Sequence, residues 1–417
     1  MKLRGVPLTV IVIMFAALAG CGGKTTLTME QKLEDFDYMW SVIEENYPFL
    51  EVNKRLYGVD WQANRGIYRK RITAAKTDNA FFEQMNSVLL ELNNAHTLLY
   101  TKEVYDYFLD TVYGHSAGHE PWLNVMQRPN VLNRYGRRPV GTDQNGAVPR
   151  PEGESKHGAP GEKYSAGDHD NVSTVILEPG QTAYLGIHSF EGQHITEDVP
   201  VFRKFLQEVK DYQTLILDIR GNGGGDSSYW REFLVRMLVR EPVDYTTYLL
   251  YRGGEEGTQF LDEYSVEYES RPIAELKQLN LPLLPPESTE MFEFFITNDD
   301  VVTPIGADGF KGEIYLLVDD RVFSAAEGLA AFSKSTGFAA VVGEQTRGDG
   351  LGMSPVIAAL PNSGYVFSYS LEMGLTADGG CNEEVKTVPD VEADTDTTKP
   401  LREQPAIRKI MELAAES

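Results

Sequence analysis

Cysteine is nearly absent: the 417 residues hold two, Cys21 and Cys381. At most one disulfide can form, and none forms if Cys21 is otherwise engaged. Positive charge is also scarce, with 38 Lys and Arg against 62 Asp and Glu and a formal net charge of −24. A surface so acidic repels phosphate backbones, which are bound through neutralisation by Lys and Arg, so a nucleic-acid partner is excluded and the excess acid serves solubility. There is no internal repeat. With 42% hydrophobic and 24% charged residues, the chain has apolar material for a sizeable core. Wholesale disorder, collagen and coiled coil are therefore excluded, and at ~150 residues per domain the length suggests two or three units.

The N-terminus supplies what the rest of the chain lacks. Lys2 and Arg4 precede an apolar run from Val6 to Ala19, short for a membrane span of ~20 residues and suited to a signal peptide over 1–20. The run ends Leu18-Ala19-Gly20-Cys21, which resembles the lipobox of bacterial lipoproteins. That resemblance implies lipid on Cys21, a tether over 21–30, and a protein held outside the cytoplasm on a membrane without a transmembrane helix. The alternative is an ordinary secretory signal followed by an incidental cysteine.

Leu33, Phe36, Trp40, Ile43 and Tyr47 recur at helical spacing up to Pro48, and Phe82, Met85, Leu89 and Leu92 line a second helix behind the capping residues Thr77-Asp78-Asn79. These predict a helical N-terminal domain over 31–102, with His96 just beyond its last helix. From 103 to 171 the pattern decays into Gly- and Pro-rich sequence, read as an irregular loop region. Order returns with strand-like runs at Thr174–Leu177 and Ala183–Ile187, a helix over Val199–Val209, and buried strands at Thr214–Ile219 and Ile314–Val318. Strands alternating with helices predict an α/β core over 172–417, interrupted by a turn-rich insertion at about 242–311.

Three segments could carry chemistry. Gly114-His115-Ser116-Ala117-Gly118 matches the nucleophile elbow of α/β-hydrolases, which requires a strand before the serine and a helix after it. His119-Glu120-Pro121 follows where that helix would start. The glycine loop after Asp218-Ile219-Arg220 could cradle a phosphate, but Asp226 stands where the dinucleotide fingerprint needs glycine. Its glycines equally allow backbone N–H groups to approach a developing oxyanion. Ser324, in Phe323-Ser324-Ala325-Ala326-Glu327, is either the N-cap of a capping box or a nucleophile in the positive field of a helix N-terminus.

The ordered set Asp218-Ile219-Arg220-Gly221-Asn222-Gly223-Gly224-Gly225, Ser324-Ala325-Ala326-Glu327, Val342-Gly343-Glu344-Gln345-Thr346 and Val388-Pro389-Asp390 resembles the C-terminal processing (tail-specific) peptidases. Leu92-Asn93-Asn94-Ala95-His96-Thr97 is similar to the histidine segment of their tricorn-core branch. The resemblance implies a mixed α/β, crotonase-like peptidase core behind a small helical domain. Members with a Ser-Lys dyad carry lysine at the position of Asp349, so that mechanism is excluded on this alignment. The tricorn-like branch uses His and Glu, which carries over to His96 and Glu383; the serine usual beside the histidine is Ala95. No PDZ module is legible between His96 and the core.

The resulting expectation is a membrane-anchored, extracytoplasmic serine endopeptidase acting on peptides or proteins, without metal or other cofactor. Ser324 is the nucleophile, His96 the base and Glu383 its supporting acid, with Gly224 and the Ala325 amide as oxyanion donors. A non-catalytic binding lipoprotein on the same fold, as in the retinoid-binding proteins of the eye, and an esterase using Ser116 are the alternatives.

Overall fold

The computed structural model describes residues 26–114, 119–138, 171–264, 269–306 and 309–416. The leader, Cys21 and Ser116 lie outside these residues. Helix α1, Met29–Asn46, is opened by a capping box in which Thr28 accepts from the Gln31 amide and Gln31 reaches back to the Thr28 amide. Its Phe36, Trp40 and Ile43 are fully buried, as their spacing predicts. Helices α2, Leu50–Tyr57, and α3, Arg65–Ala74, follow, and α4, Asp78–Leu90, starts on a Thr77 cap.

The next segment departs from the expected loop. Up to residue 138 it is largely helical: α5, Lys102–Tyr107, running into a π-helical turn at Phe108–Tyr113, then α6, Glu120–Met126, and α7, Pro129–Tyr135. Tyr105, Trp122, Met126, Val131 and Tyr135 are buried. Pro121 and Pro129 sit in the first turn of their helices, where a missing N–H is no loss, so residues that read as breakers are starters here.

Six strands form the central sheet: β2, Val172–Glu178; β3, Thr182–Ile187; β4, Thr214–Asp218; β8, Glu313–Val318; β9, Ala340–Gly343; and β13, Val391–Glu392, in the order β13-β9-β8-β4-β3-β2. All pairs are parallel except β2 with β3. Alternation along β4 sends Leu215 and Leu217 to one face, against α8 (Ile195–Val209), α9 (Val235–Leu238) and α11 (Ala325–Thr336), and Ile216 to the other, against α13 (Pro405–Glu416).

The expected turn-rich insertion is a second correction. Two nine-residue strands, β5 at Val243–Tyr251 and β7 at Phe294–Val302, pair antiparallel along their whole length. They centre a four-stranded sheet, β12-β5-β7-β6, completed by β6, Ser270–Pro272, and β12, Glu372–Leu375, while α10, Glu255–Tyr264, lies between β5 and β6 in the chain. The β-branched and aromatic residues of Tyr245-Thr246-Thr247-Tyr248 suit such a surface. A third sheet joins β1, Leu98–Leu99, to β11, Val366–Tyr369, and β10, Val356–Ala359. These two smaller sheets and the N-terminal helices share one apolar core. Packing therefore does not follow the boundaries at 102 and 172, and strands from 243–375 complete the core that the first helices begin. No helix of the described residues is long and apolar enough to cross a membrane.

Candidate active site

Ser324 ends the turn that follows β8 and caps α11 with φ 54° and ψ −129°. A non-glycine residue there is strained by ~1–3 kcal/mol, which the surrounding structure must enforce. The Ser324 side chain makes no helix-cap hydrogen bond, so the capping-box reading does not hold. Its Oγ lies 3.1 Å from His96 Nε2 instead. His96 Nδ1 is 2.8 Å from Asp349 Oδ2. A carboxylate only accepts, so Nδ1 carries the proton, Nε2 is free to accept, and the Ser324 hydroxyl donates to it. The His96 side chain is 16% exposed and that of Asp349 5%.

His96 reaches Ser324 because its loop is fastened from both sides. β1 pairs Leu98 with Ser368, and the His96 ring packs on Phe323 with centroids 4.5 Å apart. Asp349 has φ 50° and is flanked by Gly348 and Gly350. A Cβ on Gly350 would stand 2.5 Å from the Ser324 carbonyl oxygen and from the Gly328 nitrogen, so only glycine lets this loop lie against α11. Helix α12, Asn382–Val385, holds it there: Asn382 accepts from the Gly350 amide at 2.7 Å and donates to buried Glu327 at 2.7 Å.

Burial alone would raise the Asp349 carboxyl, but His96, Asn94 and Ser370 reverse this and hold it below the ordinary range. Glu383 is a correction. No hydrogen bond joins it to His96 among the described residues, and burial and the Asp349 charge push its carboxyl well up, although Asn94 beside it pulls the other way. An acid that does not touch the imidazole cannot orient it; Asp349, refused as a base in the lysine position, occupies the orienting position at Nδ1. Lys386 packs beside Gly348 and makes no hydrogen bond to Ser324 among the described residues.

Gly224 is brought to the serine, and a Cβ there would fall 2.7 Å from Ser324 Cβ and 2.9 Å from the Ala325 nitrogen. Its N–H, however, donates to Asn222 Oδ1 at 2.9 Å, so in this arrangement Gly224 provides room rather than a free donor. The Ala325 N–H, at the start of α11, makes no hydrogen bond among the described residues. The glycine turn after β4 that leads to Gly224 is anchored by the buried Asp218–Arg220 pair and by Asp319, which accepts from the Gly221 amide at 2.9 Å. The Val388-Pro389-Asp390 motif is structural: Asp390 accepts from the Val341 amide at 2.9 Å and pairs with Lys334. Before Gly114 the chain is helical rather than a strand, so the context of a nucleophile elbow is missing. Among the described residues no group of three His, Cys, Asp or Glu could hold a metal ion.

The pattern of Peptidase family S41 matches residues 181–393, half of the chain, and that of the Tricorn protease C1 domain matches residues 29–89. The chain belongs to peptidase family S41. It is a peptidase of the serine type, with the mixed α/β fold of that family behind a helical N-terminal region. A candidate peptidase from Parabacteroides merdae is similar in fold at 17% identity and a TM-score of 0.57, over 92% of this chain and 96% of that one. Mature CPAF matches at 13% identity and a TM-score of 0.54, over 93% and 96%. CPAF complexed with lactacystin matches at 14% and 0.53, over 93% and 97%. No curated protein sequence matches significantly.

Proposed function

We propose that this peptidase is a lipid-anchored, extracytoplasmic endopeptidase that cleaves peptides or proteins through an acyl-enzyme on Ser324, with His96 as general base and Asp349 as the acid that orients it. The observation that carries this is the unbroken line from Ser324 Oγ to His96 Nε2 at 3.1 Å and from His96 Nδ1 to Asp349 Oδ2 at 2.8 Å. As Ser324 Oγ attacks the scissile carbonyl carbon, its proton passes to His96 Nε2, and the imidazolium is balanced by Asp349. The carbonyl oxygen becomes an oxyanion beside the Ala325 N–H, where the α11 dipole adds to the hydrogen bond. His96 then returns the proton to the leaving amine. Water, deprotonated by the same imidazole, releases the acyl group.

A fluorophosphonate should label the purified protein on one serine, and Ser324→Ala should abolish both the label and peptide hydrolysis. A label that survives in that variant defeats the assignment. The anchor rests on Leu18-Ala19-Gly20-Cys21 closing a short apolar run. Cys21→Ala should stop incorporation of labelled fatty acid and release the protein from the membrane fraction; unchanged incorporation excludes lipid at Cys21.

A further inference from the structure

His96 comes from the N-terminal half of the chain, Ser324 and Asp349 from the C-terminal half, so their alignment must be imposed by packing. Two side chains converge on the carboxylate. Asn94 Nδ2 and Ser370 Oγ each lie 2.8 Å from Asp349 Oδ2, the same oxygen that accepts from His96. The Asn94 amide has one possible orientation, because its Oδ1 accepts from the His96 backbone N–H at 3.0 Å. An N–H can only donate, which leaves the amide nitrogen for Asp349. Thr97 Oγ1 donates to the same Oδ1 at 3.0 Å. One side chain thus ties the main chain of the base to the acid. From the other side, Ser368 Oγ donates to the His96 carbonyl at 2.6 Å, and Ser370, two residues on, reaches the carboxylate.

We infer that Asn94 and Ser370 are positioning residues for peptide cleavage: their donors fix Asp349 against His96 and spread its charge, and so set how firmly the imidazole keeps a proton. The inference rests on the triad proposed above.

Asp349 is the charged group at this point. The other titratable groups that sense its charge are Tyr47 after α1, Glu372 on β12, and Cys381 and Glu383 at α12. Burial foremost, with the Asp349 charge adding to it, pushes all four up, Glu372 to about 7. Lys386 and Arg347 face Glu383. The carboxylate in contact with His96 Nδ1 is that of Asp349, tempered by two neutral donors. Removing a donor leaves more of that charge acting on the ring, favours imidazolium, and moves the acid limb of activity to higher pH.

The test is the pH dependence of fluorophosphonate labelling of Ser324 and of kcat/KM on a peptide, in the full chain and in Ser370→Ala, Ser370→Thr and Asn94→Asp. Ser370→Ala should raise the midpoint of the acid limb by roughly half a unit or more and lower the plateau about tenfold, with KM little changed. Ser370→Thr keeps the hydroxyl and should restore both. Asn94→Asp replaces a donor with a second carboxylate and should raise the midpoint further. A plateau that falls while the midpoint stays fixed, or a threonine variant that behaves like alanine, overturns the inference and leaves the triad standing. A wild-type label with no acid limb, or one that survives Ser324→Ala, overturns the triad and the inference together.

Discussion

Asp349 shows how a residue can be noticed in a sequence and still be misassigned. It stands between two glycines at the position where a lysine base would sit, and an aspartate cannot serve as that base. The structure gives the position a different use, orienting the imidazole from Nδ1. The flanking glycines carried a usable signal, because a lone acid between them implies backbone pressed close to another element, here α11. Glu383 is the counter-example: the motif resemblance points to it, yet it makes no hydrogen bond to His96 among the described residues, and burial and the Asp349 charge push its carboxyl up. Asp349→Asn should lower kcat/KM by on the order of 10²–10⁴-fold with the fold intact, because the amide favours the wrong imidazole tautomer. Glu383→Gln keeps the size of a side chain that does not touch His96 and should stay within a few-fold of wild type. Peptidase assays on the two variants separate the roles, and the opposite ranking would return the supporting part to Glu383.

At the scale of elements, legibility followed length and burial. Helix α1 and strands β4 and β8 were visible because each repeats its pattern over enough residues, at 3.6 or as an unbroken apolar run. Helices α6 and α7 have seven residues each and open on proline, so two turns of pattern were outweighed by a residue that reads as a stop. Their burial is nevertheless specific. Tyr135, the last residue of α7, donates to the Tyr100 carbonyl at 3.0 Å and accepts from the Val366 amide at 3.1 Å. It therefore fastens α7 to the chain after β1 and to the start of β11, the strand that carries Ser368. Tyr135→Phe leaves a buried backbone N–H without its partner and should cost about 1–3 kcal/mol, read as a lower urea midpoint with unchanged slope. A stability equal to wild type would mean that α7 packs loosely and that the segment is the loop its composition suggested.

For the whole molecule, the parts of the sequence that looked separable are interleaved. The helices of the first hundred residues share a core with strands drawn from 243–375, and the serine, histidine and aspartate meet where that core adjoins the six-stranded sheet. No local pattern records a pairing between residues as far apart as Leu98 and Ser368, which is why the site was legible as motifs while its assembly was not. Closing the site also buried acids in a chain already rich in them. Burial raises Glu327 and Glu372 to about 7 from an ordinary 4.5, although Thr346, Asn382, Thr387 and the Gly348 amide pull Glu327 back and the Met353 amide does so for Glu372. For each of these the folded state holds a proton that the unfolded state has released between about pH 4.5 and 7, so folding stability falls as pH rises through that window. Each contributes on the order of 3 kcal/mol, at ~1.4 kcal/mol per unit of displacement. Glu383 acts in the same direction. Asp349, held low, works in the other window: its contribution is present above the unfolded value of ~3.9 and is lost as the solution is acidified through its folded value. The protein should accordingly be most stable in mildly acidic solution, with Tm declining from about pH 5 to pH 8. Repulsion among surface carboxylates is screened by salt, so the decline should persist at high ionic strength. Glu327→Gln keeps the acceptor for Asn382 and Thr387 and should flatten the decline, as should Glu372→Gln. A Tm that is level from pH 5 to 8 in high salt would show that these carboxyls titrate as exposed ones do and that the interior around α11 is wetter than its packing implies.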